Sequence, residues 1–103
     1  MKVIITAAAR SDLAAIGDYI GAENPQRAAS FVDELVDRCE DLASMAERFQ
    51  RVPRFERLGI RRRPYKSYLI FYRVVHDTVE VIHIAHGARD WERLLFEGHE
   101  TSE

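Results

Sequence analysis

The sequence predicts an α+β domain in which a hairpin of two helices packs on one face of an antiparallel sheet, in the order β-α-α-β-β-β with a short C-terminal helix. Two observations lead to this prediction. In the N-terminal half, two helical patterns are separated by four residues, 21–24, so the helices must run antiparallel. In the C-terminal half, two β-branched and aromatic runs, Tyr68–Val75 and Thr78–His86, are separated by two residues, which indicates a tight β-hairpin.

The N-terminal segment predicts one strand and one helix. Residues 2–5 form the strand, and the helix follows over residues 8–20, with Thr6 or a neighbour as its N-cap and Gly21 as its stop. The apolar stripe of this helix consists of Leu13, Ile16 and Ile20.

A second helix is predicted over residues 25–47. The Asn24-Pro25 pair is typical of a helix start, because asparagine caps free N–H groups and proline fits the first helical position. The apolar residues of this helix alternate in steps of four and three, the spacing of helix-on-helix packing. They are Ala28, Val32, Leu35, Cys39, Leu42 and Ala46.

The middle of the chain and its end are less regular. Residues 48–59 contain Pro53 and Gly59 and show no period, so they predict a loop with at most one helical turn. A strand over residues 60–64 precedes the β-hairpin, and a short helix is predicted near residues 90–96.

Both faces of the β-hairpin are apolar, although two helices can cover only one of them. The face predicted to be core carries Leu69, Phe71, Ile82 and Ile84. The face predicted to be partly open carries Tyr68, Ile70, Tyr72, Val74, Val79, Val81 and His83. Such a patch marks a partner site, unless the long loop or the C-terminal segment folds over it. Pairing across the turn also predicts a cross-strand ion pair between Arg73 and Glu80.

Charge is segregated along the chain. Nine of the fifteen basic residues and a single acid, Glu56, lie between Arg48 and Arg73, a local net charge of +8 within a chain whose net charge is −2. Arginines dominate, and their guanidinium groups suit carboxylates and phosphates, so an anionic partner is expected. Of the run Arg61-Arg62-Arg63, at least one side chain must point toward the open face because strand residues alternate.

Several classes of protein are excluded or disfavoured. His83 and His86 are three residues apart on a strand and point to opposite faces, so we expect neither a metal nor a cofactor. There is no nucleophile motif and no glycine-rich phosphate loop. No apolar stretch is long enough to span a membrane, and the single cysteine, Cys39, fits a reducing cytoplasm. The length of 103 residues predicts one domain, with an acidic, frayed tail over residues 97–103.

A resemblance covers nearly the whole chain. Its pieces lie in order along the sequence: the opening strand, Ser11-Asp12-Leu13 with Ile16, Tyr19 and Ile20, Asn24-Pro25, Gly59-Ile60-Arg61-Arg62, Tyr68-Leu69-Ile70-Phe71-Tyr72-Arg73 and His86-Gly87-Ala88-Arg89-Asp90-Trp91. This ordered set resembles the ParE/RelE superfamily of bacterial toxins, and more closely its ParE-like branch.

RelE-like members cleave mRNA on the ribosome with basic residues and a C-terminal tyrosine. Here Arg62 and Arg89 match that pattern, while apolar Ile60, Leu69 and Leu95 replace the other three groups. Ribonuclease chemistry is therefore disfavoured, and we lean toward a non-enzymatic protein.

The resemblance implies a toxin of a type II toxin–antitoxin module that stabilises a plasmid or chromosome, inhibits DNA gyrase and arrests growth. It implies a hetero-oligomer with a ParD-like antitoxin, whose ribbon-helix-helix part binds operator DNA, so that the toxin meets the operator only indirectly while the complex represses its own operon. The expected target surface consists of Arg61, Arg62, Arg63, Arg89 and Trp91. The expected antitoxin-binding residues are Leu13, Ile16, Tyr19, Ile20, Tyr68, Ile70, Tyr72 and Arg73. The alternatives are a ribosome-dependent mRNA interferase and a decayed, non-toxic module that still binds antitoxin.

Overall fold

A four-stranded sheet organises the fold; its strands β1 (Lys2–Ile5), β2 (Arg61–Tyr65), β3 (Tyr68–Val75) and β4 (Thr78–His86) lie in the order β1-β4-β3-β2. A computed structural model of the protein describes the backbone of residues 1–100 and the side chains of residues 1–96. Strand β1 runs parallel to β4, and the other neighbouring strands are antiparallel. The predicted α+β fold class is confirmed. The elements are β1 (Lys2–Ile5), α1 (Ala7–Gly21), α2 (Pro25–Glu40), α3 (Leu42–Met45), a 3-10 turn (Glu56–Leu58), β2 (Arg61–Tyr65), β3 (Tyr68–Val75), β4 (Thr78–His86) and α4 (Trp91–Glu100).

Helix α1 begins where β1 ends, and Thr6 makes the connection. Its hydroxyl oxygen accepts a hydrogen bond from the Ala9 N–H at 3.2 Å, which caps the helix as predicted. The same hydroxyl donates to the Val81 carbonyl at 2.8 Å. The start of α1 is therefore held against β4 at the point where β1 stops pairing.

The second helix begins as predicted but is interrupted. Asn24 accepts a hydrogen bond from the Arg27 N–H at 3.0 Å. The predicted helix over residues 25–47 is broken at Asp41 into α2 and α3. The Arg63 guanidinium donates to the Arg38 carbonyl at 2.9 Å, and this carbonyl would accept the Leu42 N–H in a continuous helix. The apolar stripe still faces the core, and burial raises the pKa of the Cys39 thiol to about 12.

The two faces of the sheet are covered in the opposite sense to the prediction. The helical hairpin packs on the face that carries Ile70, Tyr72 and Val81, whose side chains have no exposed surface. The face predicted to be open is thus buried, and the prediction was wrong because the alternation of strand residues does not tell which of two apolar faces the helices cover. We call this layer the helical core; its members include Leu13, Ile16, Phe31, Leu35, Leu42, Ile70, Tyr72, Val79, Val81 and Ile84.

The other face is covered by residues 48–59 and by α4. The sequence analysis allowed these segments to cover the face of Tyr68, Ile70 and Tyr72, but they cover the face of Leu69 and Phe71. We call the resulting layer the loop core; it consists of Val52, Phe55, Ile60, Phe71, Ala85 and Leu95, with Leu69, Ile82, Trp91 and Leu94 packed against it. The loop therefore contributes buried side chains although it has little regular structure.

The register of β3 and β4 is as predicted near the turn and shifted beyond it. Arg73 lies opposite Glu80, and their side chains form an ion pair at 3.0 Å. A bulge then shifts the register, because Tyr72 pairs with Val81 while Phe71 pairs with His83. Ile82 is the extra residue. As a result Ile84 pairs with Ile70 and lies in the helical core, not on the face with Phe71 as predicted.

The two-residue turn between β3 and β4 contains His76 and Asp77, both with positive φ angles of 49° and 60°. This pair of signs is typical of a type I′ turn, in which glycine is preferred at the second position. Asp77 takes that position here and tolerates it better than a branched residue would.

The C-terminal helix is longer than predicted. It extends over Trp91–Glu100, four residues beyond the predicted end at residue 96, while the expectation of a frayed tail over residues 97–103 stays a prediction. Residues 101–103 lie outside the described residues. Within the described part of the chain, none of the helices combines the length and apolar character that a membrane crossing needs.

A polar network on the outside of α2 connects this helix to β2. The Arg27 guanidinium forms an ion pair with Glu34 at 2.6 Å, and the Tyr65 hydroxyl donates a hydrogen bond to the same carboxylate. The Arg38 guanidinium lies over the Tyr65 ring, 4.8 Å from its centroid. The bonds from Arg27 and then from Tyr65 lower the pKa of Glu34 from 4.5 to about 2. The ionised carboxylate is thus the form that the fold stabilises.

We expect this network to make stability depend on pH in the acid range. Because the pKa of Glu34 is lower in the folded protein, the stabilisation is complete above pH 4.5 and is lost as the pH falls toward about 2. Urea unfolding between these values should show a steeper loss for the wild type than for Glu34→Gln. Asp33→Asn, which alters an exposed neighbouring acid, serves as the control and should follow the wild type. Parallel curves for the wild type and Glu34→Gln would contradict the prediction.

Candidate functional site

Two of the arginines predicted for a target surface serve the fold. Arg61 and Arg63 lie on the helical side of β2, where Arg61 donates to the Phe49 carbonyl at 2.7 Å. Arg63 binds the Arg38 carbonyl, and its guanidinium lies over the Phe49 ring, 5.0 Å from the centroid. Burial is the main cause that lowers the pKa of Arg63. These two guanidinium groups hold the start of the loop and the end of α2 against the sheet.

The other three predicted residues do not form one surface. Arg62 points to the opposite side of β2, and its guanidinium lies over the Trp91 ring, 5.8 Å from the centroid. Trp91 packs against Phe71 at 5.2 Å between ring centroids, so much of the indole belongs to the loop core. Arg89 accepts the Trp91 N–H through its carbonyl at 2.8 Å, while it also lines a groove beside α1. The run Arg61-Arg62-Arg63 therefore does not border an open sheet face next to Arg89, as the sequence suggested.

Arg89 lies at a groove between α1 and the end of β4, which we call the α1–β4 groove. Its volume is about 300 Å³, and small apolar side chains such as Ala15 form part of its wall. Tyr19, on its rim, is 80% exposed. The groove is lined by Asp12, Ala15, Ile16, Tyr19, Tyr68, Ile84, Ala85, His86 and Arg89.

The groove exists because β4 is longer than the strand beside it. The pairing of β1 with β4 ends at Ile5 and Val81, while β4 continues to His86. Beyond Val81, α1 runs beside the strand edge in place of a neighbouring strand. The edge of β4 there is covered by side chains of the helix and not by backbone.

Asp12 contributes to this cover, although it is not among the predicted site residues. Its carboxylate accepts the Ile84 N–H at 2.8 Å and binds the His83 Nδ1 at 2.9 Å. Its position in the sequence could have indicated this role. Asp12 directly precedes Leu13 and lies four residues before Ile16, at the border of a buried stripe, where a carboxylate needs hydrogen-bond partners. Asp12 thus replaces a strand partner for β4 and positions α1 along the groove.

Polar groups face each other across the outer end of the groove. Tyr68 contacts the His86 ring edge-on at 5.3 Å, and the His86 Nδ1 accepts the Ala88 N–H at 3.1 Å. Burial, followed by the proximity of Tyr19, raises the pKa of Tyr68. The Arg89 guanidinium is exposed and has no hydrogen bond or ion pair within residues 1–96. The exposed guanidinium thus lies beside a groove whose lining includes two tyrosines and one acid, Asp12.

The residues predicted to bind an antitoxin are distributed between this groove and the interior. Ile16, Tyr19 and Tyr68 line the groove. The side chains of Ile70 and Tyr72 are fully buried, and the Tyr72 hydroxyl donates to the Ala46 carbonyl at 2.6 Å. The three other residues lie outside the groove. Leu13 belongs to the helical core, Ile20 packs against it, and Arg73 forms its ion pair with Glu80.

The positions that would carry ribonuclease chemistry in RelE-like proteins lie in or against the loop core. Ile60 and Leu95 are buried, with 0% and 1% of their surface exposed, and Leu69 packs against the same cluster. Among the described residues, no group of three or more histidine, cysteine, aspartate and glutamate side chains could hold a metal ion.

Fold and groove together define a small toxin domain of the ParE/RelE superfamily. Residues 3–91 match the family model described as the ParE toxin of type II toxin–antitoxin systems, parDE. The chain therefore belongs to the ParE toxin family of type II toxin–antitoxin systems.

Solved structures agree with this assignment at the level of the fold. A chain of the chromosomal ParDE system from P. aeruginosa superposes with a TM-score of 0.72 at 24% identity, over 84% of this chain and 95% of that one. A chain of the toxin–antitoxin complex RelBE2 from Mycobacterium tuberculosis gives 0.60 at 25% identity, over 82% and 95%. No curated protein sequence matches the chain significantly.

We expect Asp12→Ala to lower the free energy of unfolding by about 1–3 kcal/mol, because it leaves the Ile84 N–H without its acceptor in a partly buried position. Asp12→Asn should cost less, since the amide oxygen can still accept this hydrogen bond. Urea unfolding measures both changes. Asp18→Ala removes an exposed acid from the same helix and should have little effect. Equal losses for Asp12→Ala and Asp18→Ala would show that the carboxylate does not hold the strand edge.

Proposed function

We propose that this ParE toxin arrests growth by binding and inhibiting DNA gyrase, without acting as an enzyme, and that a ParD-like antitoxin neutralises it. The observation that carries the proposal is the composition of the loop core. Ile60 and Leu95 are buried in it at positions where RelE-like proteins have catalytic groups, and Leu69 packs on it. Aliphatic side chains can neither transfer a proton nor stabilise a charged phosphorane, which supports toxicity by binding over ribonuclease chemistry.

Arg89 is the strongest candidate for a contact with the target. Its guanidinium is exposed at the α1–β4 groove and forms no ion pair with an acid of the described chain. Arg62 and the exposed part of Trp91 form a second, smaller candidate surface on the other side of the sheet. Arg61 and Arg63 are bound to backbone carbonyls and serve the fold, so we no longer assign them to the target surface.

The same groove supports a mechanism of neutralisation. It brings Ile16, Tyr19 and Tyr68, three of the residues expected to bind an antitoxin, next to Arg89. A flexible acidic segment of the antitoxin that folds on binding would place apolar side chains against the tyrosines and a carboxylate at Arg89. Occupation of the groove would then block the contact with gyrase directly. In the resulting hetero-oligomer the antitoxin's ribbon-helix-helix part would bind the operator and allow autorepression, in the cytoplasm where gyrase also works.

Purified toxin should inhibit the supercoiling of relaxed plasmid by gyrase. Arg89→Ala should raise the toxin concentration needed for half-inhibition by about tenfold, the effect of removing a contact worth about 1.4 kcal/mol. Arg57→Ala, which removes another exposed guanidinium outside the groove, is the matched control and should inhibit like the wild type.

Growth arrest without any effect on supercoiling would contradict the proposal. Transcripts cut within ribosome-bound codons would favour the interferase, and normal growth would favour the decayed module.

Tyr19→Ala should weaken the binding of the cognate antitoxin by about tenfold or more, because exposed aromatic side chains often dominate such interfaces. The fold should be unaffected, since Tyr19 is 80% exposed. Isothermal titration calorimetry with the antitoxin measures the change. Leu58→Ala removes an exposed apolar side chain outside the groove and provides the control. Equal affinities for the wild type and Tyr19→Ala would place the antitoxin elsewhere on the toxin.

A further inference from the structure

A second groove, which we call the β2-edge groove, runs along the edge of the sheet opposite to β1. Its volume is about 380 Å³, and it shares no lining residue with the α1–β4 groove. Two arginines, Arg48 and Arg62, lie in its wall, together with the Gln50 amide and no acid. Phe49, Pro64 and Leu69 provide the apolar part of the lining.

Backbone pairing explains why these polar groups converge. Residues 50–52 pair with the outer edge of β2, since the Arg62 N–H donates to the Gln50 carbonyl at 3.1 Å and an isolated bridge joins Arg51 to Arg61. Paired residues of antiparallel strands share a face. Gln50 and Arg62 therefore lie on the side of the loop core, while Arg51 and Arg61 lie on the helical side.

The positive charge of this groove is not compensated within the described residues. The Arg48 side chain is exposed, and its guanidinium makes no hydrogen bond or ion pair there. The guanidinium of Arg62 contacts only the Trp91 ring, which restricts its orientation without neutralising its charge. Other arginines of the basic segment do have acidic partners, such as Arg54 with Glu92 at 3.5 Å and Arg73 with Glu80.

We propose that the β2-edge groove binds the phosphodiester backbone of duplex DNA. A guanidinium binds two phosphate oxygens at once, the Gln50 amide adds a donor, and the apolar wall suits the deoxyribose between two phosphates. This direct contact differs from the indirect contact with operator DNA through the antitoxin.

The inference rests on the proposed function, because gyrase holds DNA while it works. A toxin with Arg89 on one surface and the β2-edge groove on another could contact the enzyme and its DNA at the same time. Because the two grooves share no lining residue, an antitoxin segment in the α1–β4 groove would leave the β2-edge groove accessible.

The test is fluorescence anisotropy of a short labelled duplex with purified toxin, in the absence of gyrase, from about 50 to 200 mM salt. The wild type should bind with an affinity that falls with salt. Arg48→Ala/Arg62→Ala should reduce the slope of log K against log salt by about 2, the contribution of two phosphate contacts.

Lys2→Ala/Arg10→Ala removes the same charge near the opposite sheet edge and should bind like the wild type. Arg48→Glu changes an exposed side chain without partners, so its weaker binding cannot be attributed to misfolding.

The inference would be overturned if Arg48→Glu and the double variant both bound the duplex as tightly as the wild type. It would also be overturned if the wild type bound a polyglutamate peptide or single-stranded RNA but not the duplex. Inhibition of gyrase by a toxin that binds no DNA would remove this inference and leave the proposed function intact. DNA binding located at Arg48 and Arg62, with no effect on gyrase, would support the inference and refute the proposed function.

Discussion

The fold depends on a β-hairpin that is apolar on both faces. Ile70, Phe71 and Tyr72 follow one another in β3 and are all fully buried, so each face needs its own covering layer. Burying a large apolar side chain contributes about 1.5–3 kcal/mol, and a domain of this size has little stability to spare. The helical hairpin covers one face, and the loop of residues 48–59 with α4 covers the other. The grooves of the surface then lie at the borders of these two covering layers.

The arginine-rich segment divides into structural and free side chains for the same reason. Alternation along β2 sends Arg61 and Arg63 to the helical layer, where backbone carbonyls need donors, and sends Arg62 to the other side. Arg63 also takes the carbonyl that would continue α2, so its presence and the break at Asp41 are linked. The unpaired positive charge of the segment is therefore smaller than the composition indicates, and it includes the guanidinium groups of Arg48 and Arg62.

The bulge at Ile82 connects the fold to the candidate site. By shifting the register of β4 by one residue, it places Ile84 in the helical core and brings the end of the strand alongside α1. Asp12 then completes the unpaired edge with one carboxylate. A strand edge covered by side chains leaves a groove that a partner segment can enter, whereas a paired strand would have closed it. The α1–β4 groove and the β2-edge groove are thus separate, with no lining residue in common.

The sequence by itself determined the elements and their order, because caps, turn residues and hydrophobic periodicity are local properties of the chain. Thr6, Asn24-Pro25, the two-residue turn and the Arg73–Glu80 pair all lie where local rules place them. The family resemblance was equally readable from the order of short motifs. Only the tertiary structure decided which face of the sheet the helices cover, since the alternation of strand residues cannot distinguish between two apolar faces. It also decided that Ile70 and Tyr72 are interior, that the loop forms a core and that Arg89 meets Tyr19 and Tyr68 at a groove, because each of these contacts joins residues far apart in the chain.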